Sequence, residues 1–315
     1  MPRPQPSHVK KLHSRLLRWY RIHHRRLPWR NGTDPYRIVV SEVMLQQTQV
    51  SRVREKYPLF LRAFPTLGSL AAAPLSEVIV AWQGLGYNNR AVRLRNLARR
   101  VRERHGGVIP PEASALEKLP GLGRYSAGAV ACFAFGGRVP VVDVNIRRVL
   151  SRIFFPLRAA GDVKDLRMIW RLAGEVLPGD ARSWNQALMD LGSLICTAAR
   201  PDCAGCPVSD LCSSYPEMRR SGRLRRPPPL ERAKKIEPAY REIPRRLWRG
   251  RIVEILRNVN GRGPIGLRQL GDELGSDADG ADLRFFRGLL RQLERDELVE
   301  ISGRPSDPRV QLCRT

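Results

Sequence analysis

Four cysteines crowd into one short segment, and they constrain the fold of this chain more than any other feature. They are spaced as C-x6-C-x2-C-x5-C, and their positions are Cys196, Cys203, Cys206 and Cys212. Thiolates this close in sequence can surround one metal centre, and four sulfurs suit either a zinc ion or an iron–sulfur cluster. Because no secretory signal is evident, such a group indicates metal binding rather than disulfides. The spacing predicts a metal site and leaves its identity open.

The charge balance indicates a polyanionic partner. The 315 residues include 56 Lys and Arg against 30 Asp and Glu, which gives a formal net charge of +26. Most of the excess is arginine, whose planar guanidinium suits bidentate phosphate contact. Such an excess is typical of nucleic-acid-binding proteins, although an arginine-rich genome would give every surface the same bias. No apolar stretch reaches the ~18–20 residues that span a bilayer, so we expect no membrane contact and a cytoplasmic, nucleoid-associated protein.

Helical periodicity dominates the chain up to about residue 215. Amphipathic patterns predict helices at 9–23, 36–57 (as one helix or two), 91–105, 124–135, 144–154, 166–177 and 184–196. Ser41 is expected at the cap or in the first turn of its helix. This part of the chain is therefore predicted to be mainly α.

A change of composition marks a second region. Residues 217–240 combine many arginines with a triple proline, which predicts an extended basic linker. Beyond it, the patterns predict helices at 245–258, 267–274 and 281–295 and strands at 298–302 and 309–312. Three helices and a hairpin predict a small winged-helix-like domain at 241–315, although many small α+β domains share this outline.

A Pro-Gly-Leu-Gly segment at residues 120–123 joins two predicted helices. Its glycines, Gly121 and Gly123, allow a tight turn that can expose backbone N–H groups to a phosphate. A plain helix–helix turn explains the same residues equally well.

This hairpin, with the Val-Asp-Val-Asn at 142–145 and the four cysteines, resembles the helix-hairpin-helix DNA glycosylases that hold a [4Fe–4S] cluster. The decamer SEVMLQQTQV at 41–50, LPWR at 27–30 and GLGY at 84–87 are closer still to the MutY-type adenine DNA glycosylases. The resemblance implies a six-helix barrel at 34–140 and a cluster domain built from 1–33 and 141–216. It also implies double-stranded DNA as the partner of a monomer.

The resemblance assigns the chemistry residue by residue. Hydrolysis of an N-glycosidic bond passes through an oxocarbenium-like sugar, for which two carboxylates with different roles are useful. By its match to the family motif, Glu42 would protonate N7 of the adenine and then help to activate water. Burial among apolar helix neighbours would raise the pKa of Glu42 enough for this acid role. Without the motif, an exposed position on the helix surface would be the ordinary expectation for it.

The second carboxylate of the motif is Asp143. It would stabilise the sugar cation or form a transient bond to C1′, and Asn145 would orient it; a helix N-cap is the alternative and compatible role. Tyr125 stands where the bifunctional endonuclease III branch has its lysine nucleophile. Because a phenol cannot form a Schiff base, the chain is predicted to be monofunctional.

The family's duplex contacts map onto four further residues. The target base must leave the stack to be reached, at a cost of a few kcal/mol. By resemblance, Gln47 and Tyr87 would wedge into the duplex, and Thr48 and Leu85 would lie beside the opposite base. Simpler explanations are a solvated helix face for Gln47, a turn aromatic for Tyr87 and the core for Leu85.

Three more residues match the family's adenine pocket. Trp29 and Arg30 would line it, and Gln186 would contact the edge of the adenine. A core position is the simpler explanation for Trp29.

The chain departs from the family pattern in three places. Val144 follows the catalytic aspartate where the family usually has glycine, and Asn88 replaces the second tyrosine of a Gly-Tyr-Tyr turn. Many relatives also carry a MutT-like domain that reads 8-oxoguanine. Residues 241–315 are too short for one, so the sequence does not show how the opposite base would be read.

The sequence thus predicts a DNA glycosylase of base excision repair that removes adenine mispaired with 8-oxoguanine or guanine. A thymine or uracil glycosylase acting on mismatches with guanine is the nearest alternative, and the Gln46-Gln47-Thr48-Gln49 run favours the adenine branch. A winged-helix DNA-binding regulator with a catalytically silent barrel is the other. Against it, a pure binder has no use for both Glu42 and Asp143 facing a phosphate backbone.

Overall fold

The computed structural model describes residues 4–156, 165–221, 239–275, 280–304 and 307–315. The described chain is mainly helical, with its strands in the C-terminal region, which confirms the predicted fold class. None of the described helices is long and apolar enough to cross a membrane. In chain order, the helices are α1 (Pro6–His23), α2 (Pro35–Leu45), α3 (Val50–Ala63), α4 (Leu67–Ala72), α5 (Leu75–Ala81), α6 (Asn89–Arg104), α7 (Ala113–Leu116), α8 (Arg124–Phe135), α9 (Val144–Phe154), α10 (Leu166–Glu175), α11 (Ala181–Leu194), α12 (Tyr215–Ser221), α13 (Arg245–Asn258), α14 (Leu267–Glu273) and α15 (Gly280–Arg295). The strands are β1 (Ala239–Tyr240), β2 (Ile243–Pro244), β3 (Ile265–Gly266), β4 (Val299–Arg304) and β5 (Asp307–Leu312).

The chain divides into two compact units, which are described separately. The first contains Met1–Ile38, Pro110–Lys118 and Leu122–Arg232, and the second contains Val39–Ile109, Leu119–Gly121 and Ala233–Thr315.

The first unit is built around α11, against which α1 and α9 pack. Helix α9 forms where it does because the carboxylate of Asp143 accepts a hydrogen bond from the backbone N–H of Ile146 at 2.6 Å. Apolar residues then recur at helical spacing along α9, and Ile146, Val149 and Leu150 are buried completely. Burial of that stripe is what stabilises α9 in place.

The second unit contains α3–α6 together with the C-terminal domain. Helix α6 packs against α4 and α5, and the rings of Phe60 and Trp82 meet edge to face with centroids 5.7 Å apart. In the C-terminal domain, antiparallel strands run in the order β3-β5-β4. Trp248 and Phe286 are buried in its core. The predicted three helices and hairpin are present, whereas β1, β2 and β3 were not predicted because two-residue strands carry no alternation pattern.

One expectation about the first half of the chain is wrong, and one alternative that the sequence pattern left open is decided. Ser41 does not cap α2 but lies buried in its interior, because the helix begins at Pro35 and Asp34 caps it. The Asp34 carboxylate accepts from the N–H groups of Tyr36 at 2.9 Å and Arg37 at 3.2 Å. The pattern at 36–57 forms two helices, α2 and α3, and α3 continues past Pro58.

The predicted linker at 217–240 falls largely on residues 222–238, which lie outside the described residues. Its two described ends are not extended linker: one belongs to α12 and the other forms β1.

Candidate functional site

Five described non-glycine residues of the second unit have a backbone with positive φ, and two of them, Gln47 and Tyr87, lie between residues 39 and 109. Gln47 has a φ of +56° and Tyr87 a φ of +45°, and the Tyr87 side chain is 57% exposed. For residues other than glycine, such left-handed conformations cost about 1–2 kcal/mol each. The surrounding structure must therefore hold both residues in place. These are the two residues for which the sequence predicts a wedge.

Arg90, near the start of α6, ties the segments that carry these two residues together. Its Nη1 donates to the carbonyl oxygens of Val43 (3.0 Å), Met44 (2.9 Å) and Gln46 (2.5 Å). Its Nη2 donates to Thr48 Oγ1 (2.9 Å) and to the carbonyl oxygens of Leu85 (2.9 Å) and Gly86 (3.0 Å). Arg90 is only 4% exposed, and burial lowers its pKa to about 10, so it stays charged at neutral pH.

Thr48 and Leu85 belong to the same cluster in the second unit. Thr48 Oγ1 donates to the carbonyl oxygen of Leu85 at 3.2 Å, and the Leu85 side chain is buried. The hairpin is joined to it as well, because the Gln46 side chain donates to the carbonyl oxygen of Gly121 at 3.1 Å. Gly121 has a φ of +83°, which favours glycine. The structure therefore brings Gln47, Thr48, Leu85, Tyr87 and Gly121 into one unit.

Glu42 lies in α2 and belongs to the second unit. It is 6% exposed, so the alternative of an exposed surface glutamate is wrong. Its helix neighbours Ser41, Val43 and Met44 are buried as well. A carboxyl group in such surroundings is uncommon among glutamates, most of which face solvent.

Asp143 lies in the first unit, in the predicted role of N-cap of α9. While its Oδ1 caps the helix, its Oδ2 accepts a hydrogen bond from the side-chain amide of Asn145 at 2.8 Å. Asn145 Oδ1 in turn accepts from Arg148 Nη2 at 2.8 Å. Both oxygens of Asp143 are thus oriented by neighbours on the first turns of α9.

Arg148 connects this carboxylate to the cysteine segment. Its Nη2 also donates to the carbonyl oxygen of Gly192 at 2.6 Å, and its Nε to that of Cys196 at 2.7 Å. A Cβ atom on Gly192 would stand 2.7 Å from the Cβ of Asn145, so glycine is required for α11 to approach α9 this closely. Burial lowers the pKa of Arg148.

The four cysteines line a single pocket of the first unit, together with Val149, Ile153, Leu191, Ile195 and Met218 among others. One turn beyond Arg148, Arg152 donates from Nη1 to Cys196 Sγ at 3.3 Å and to the carbonyl oxygen of Thr197 at 2.8 Å. Burial raises the pKa of Cys206 to about 12 and that of Cys212 to about 11. Bound metal would displace these protons, because it is the thiolate that coordinates.

Across the described part of the chain, no three His, Cys, Asp or Glu side chains are grouped so as to hold a metal ion. Four thiol groups in one pocket with a largely apolar lining are a donor set that an iron–sulfur cluster accepts.

A second pocket of the first unit brings Arg30 and Gln186 together. Both line it, with Tyr20 and Arg25, and the Tyr20 hydroxyl donates to Gln186 Oε1 at 2.5 Å. Trp29 is buried beside Arg30 in a short 3₁₀ turn, as its core alternative predicts.

The arginines of this pocket share one carboxylate. Asp190 is completely buried and accepts from Arg30 through both oxygens, at 2.7 and 2.9 Å, and from Arg25 Nε at 2.6 Å. Burial alone would raise the pKa of Asp190, but the hydrogen bonds and charges of Arg30 and Arg25 outweigh it and lower that pKa.

The remaining predicted positions lie on both units. Tyr125 is half-buried in the first turn of α8, and Gly123 is the N-cap residue of that helix; both belong to the first unit. Val144, also in the first unit, is 76% exposed, so the residue that departs from the family pattern points to solvent. Asn88, in the second unit, accepts a hydrogen bond from Arg257 Nη2 at 2.8 Å.

Sequence reasoning missed Arg90, Arg148 and Asp190. Each lies on or directly beside a helix that the periodicity predicts, but a charged residue there ordinarily faces solvent. The one available signal is position, since each of the three stands one helical turn from a buried residue of its own helix.

Comparison with known proteins gives a consistent picture. Residues 40–172 match the family described as HhH-GPD superfamily base excision DNA repair protein. The chain is 39% identical over 263 residues to an adenine DNA glycosylase of Mycobacterium tuberculosis, covering 81% of this chain and 82% of that protein. It is 43% identical over 223 residues to a human adenine DNA glycosylase, covering 65% of this chain but only 40% of that protein. The chain thus spans less than half the length of this human relative.

Two solved structures resemble this one over about two thirds of the chain. A thermostable thymine-DNA glycosylase has a TM-score of 0.62 at 34% identity, covering 67% of this chain and 98% of that one. A non-covalent endonuclease III–DNA complex has a TM-score of 0.59 at 21% identity, covering 69% and 99%. The second likeness is one of fold alone.

Proposed function

The chain belongs to the family of adenine DNA glycosylases within the HhH-GPD superfamily of base excision DNA repair proteins, and from this premise we propose its reaction. It hydrolyses the N-glycosidic bond of adenine mispaired with 8-oxoguanine or guanine in double-stranded DNA. The observation that carries the proposal is the burial of Glu42, because a buried glutamate within the family decamer has the environment of a general acid.

Glu42 protonates N7 of the adenine, which turns the base into a neutral leaving group. As the bond to C1′ breaks, positive charge develops on the sugar, and Asp143 stabilises it. The capping N–H of Ile146 and the amide of Asn145 hold that carboxylate in one orientation. Glu42, now ionised, takes a proton from the water that attacks C1′. Tyr125 offers no amine, so the reaction ends with the abasic site and the strand intact.

Other residues serve extrusion and recognition. Gln47 and Tyr87 enter the duplex as the wedge, and Thr48 and Leu85 lie beside the opposite base. The pocket lined by Arg30 and Gln186 receives the adenine, whereas Trp29, predicted to line it as well, is buried and is not among its lining residues. The hairpin glycines, Gly121 and Gly123, present backbone N–H groups to a phosphate.

The four cysteines hold a [4Fe–4S] cluster. Their common pocket and apolar lining support this assignment, and Arg152 beside Cys196 Sγ suits a centre that carries net negative charge. When bound, the cluster supplies structural support to segment 196–212. Purified protein should be brown, with broad absorption near ~400 nm and about four irons per chain. Colourless protein with one zinc per chain contradicts the assignment.

The C-terminal domain supplies phosphate contacts rather than base recognition. Two aromatic residues of α15 could in principle stack on a modified purine, but Phe286 is buried and Phe285 already stacks on Tyr240 with ring centroids 3.9 Å apart. Arginines of α13, such as Arg246 and Arg251, are exposed. We expect the protein to act as a monomer on nucleoid DNA in the cytoplasm.

A single-turnover panel tests the reaction. Full-length protein is mixed in excess with duplexes containing A·8-oxoG, A·G, T·G or U·G, and the release of base is followed. Release of adenine from the first two duplexes is expected. Release from T·G or U·G alone would support the thymine or uracil alternative, which the 34% identity to the thymine-DNA glycosylase keeps open. Tight binding with no release of any base would support the non-catalytic regulator.

A further inference from the structure

A buried arginine of the C-terminal domain contacts the residue that comes after Tyr87. Arg257 lies near the end of α13, and its side chain is only 5% exposed. Its Nη2 donates to Asn88 Oδ1 at 2.8 Å, and burial lowers its pKa. Asn88 is the position at which this chain departs from the family tyrosine. The departure thus provides an acceptor where the C-terminal domain provides a donor.

The same helix also holds the other side of the turn at 82–88. Arg257 Nε donates to the carbonyl oxygen of Ile79, in the last turn of α5, at 3.0 Å. Glu254, which pairs with Arg257 Nη1 at 2.8 Å, accepts a hydrogen bond from the side-chain amide of Gln83. One helical turn of α13 therefore contacts both the end of α5 and the start of α6, which are the two elements that flank Tyr87.

The attachment continues beyond this turn. Asn96 of α6 donates to Glu297 at 3.1 Å, and the backbone N–H of Leu75 donates to the carbonyl oxygen of Arg314 at 3.3 Å. The C-terminal domain and α4–α6 belong to one compact unit. A domain docked this way cannot act only as a tethered charge.

A wedge needs a rigid support, because extruding a base costs a few kcal/mol and a turn that yields would lose the favourable contacts that offset this cost. Tyr87 already has a strained backbone. Before Tyr87 in the chain, Arg90 donates to the carbonyl oxygens of Leu85 and Gly86. Directly after Tyr87, Arg257 of α13 donates to Asn88.

We propose that the C-terminal domain braces the wedge turn, and that Arg257 is a positioning residue which holds Tyr87 through Asn88. This inference rests on the proposed function, in which Tyr87 is part of the wedge. It gives the domain a task in base extrusion that is separate from its phosphate contacts, and it makes Asn88 a functional partner of the domain.

Hydrogen exchange of the full-length protein without DNA tests the brace. The amides of Leu85, Arg90 and Ala91 donate to the carbonyl oxygens of Trp82, Tyr87 and Asn88 and report on opening of the turn. Loss of a hydrogen bond to a charged group is worth about 1.5–3 kcal/mol. In the Arg257→Met variant these amides should therefore exchange about tenfold faster or more, since tenfold corresponds to about 1.4 kcal/mol.

Two further variants control the experiment. Asn88→Ala removes the acceptor and leaves α13 intact, so it should give the same faster exchange, and combining it with Arg257→Met should add little. Arg251→Met removes one charge from the exposed side of α13, where the guanidinium lies 5.1 Å from the centre of the Trp248 ring. It should leave the hydrogen exchange rates at residues 85–91 unchanged. It should reduce the slope of log K for DNA binding against log salt concentration by about 0.9.

Single-turnover release of adenine gives the second readout. Arg257→Met and Asn88→Ala should each slow it about tenfold, with the salt dependence of binding unchanged. Unchanged exchange in both variants overturns the brace, and so does faster exchange with a normal rate of release. If the wild type releases no adenine, the proposed function fails, and the exchange result still decides whether α13 supports the turn.

Discussion

Replacing Arg90 by methionine removes the side chain that makes most of the described hydrogen bonds between the Glu42–Thr48 segment and the Tyr87 turn. Arg90 is buried and contacts five carbonyl oxygens and the Thr48 hydroxyl through its two Nη atoms. Four Nη hydrogens serve these six acceptors, so some bonds are shared. Methionine keeps the length of the stem and leaves the acceptors buried without donors.

These contacts set the size of the expected loss in the free energy of unfolding. Each hydrogen bond to a charged donor contributes about 1.5–3 kcal/mol, and each acceptor left unsatisfied costs about 1–3 kcal/mol. Methionine also avoids the desolvation cost of burying a guanidinium, which is several kcal/mol. This gain cancels part of the loss of the hydrogen bonds. We expect a net loss of about 3–5 kcal/mol in the free energy of unfolding. Arg90→Lys keeps the charge but not the fork of donors, so it should recover less than half of that loss.

Urea denaturation monitored by circular dichroism measures the loss, and Arg102→Met is the matched control. Arg102 is exposed in the last turn of the same helix, so its replacement should cost less than about 0.5 kcal/mol. A loss below about 1 kcal/mol for Arg90→Met would refute the reasoning. It would mean that water satisfies these carbonyl groups as well as the guanidinium does.

Three other predictions concern the carboxylates and the nucleophile. Glu42→Gln and Asp143→Asn should each lower the single-turnover rate of adenine release by roughly 10²–10⁴ while duplex binding persists. The control variant Glu55→Gln, on the exposed side of α3, should release adenine at the wild-type rate. Near-normal rates in the first two variants would show that these carboxylates are not the catalytic groups. Because Tyr125 has no amine, borohydride should trap almost no protein–DNA adduct, and strong trapping would contradict monofunctional chemistry. The lowered pKa of Asp190 stabilises the fold above the ordinary aspartate pKa of about 4. That stabilisation is lost as the pH falls through the lower folded-state pKa. In Asp190→Asn the free energy of unfolding should therefore depend less on pH in the acid range. An unchanged pH dependence in this variant would contradict the buried pairing.

Local patterns determined much of this protein. Helices at 124–135, 144–154 and 245–258 have the bounds that the sequence predicts, because apolar spacing and caps such as Asp143 act within a few residues of the helix they form. The decamer around Glu42 identified the family for the same reason, since its residues are contiguous. The roles assigned to individual site residues, and the cluster, remain proposals.

Tertiary structure alone decided how the site is held. Arg90, Arg148 and Arg257 each donate to backbone carbonyls of segments distant in sequence, and such carbonyls are the same for every residue type. The pattern of side chains in the sequence therefore does not predict these contacts. The left-handed backbone of Gln47 likewise lies next to a long-range contact, because Arg90, 44 positions further along the chain, donates to the carbonyl oxygen of Gln46. Sequence spacing places the reactive groups on helices, whereas non-local hydrogen bonds from guanidinium groups set the geometry in which those groups can act.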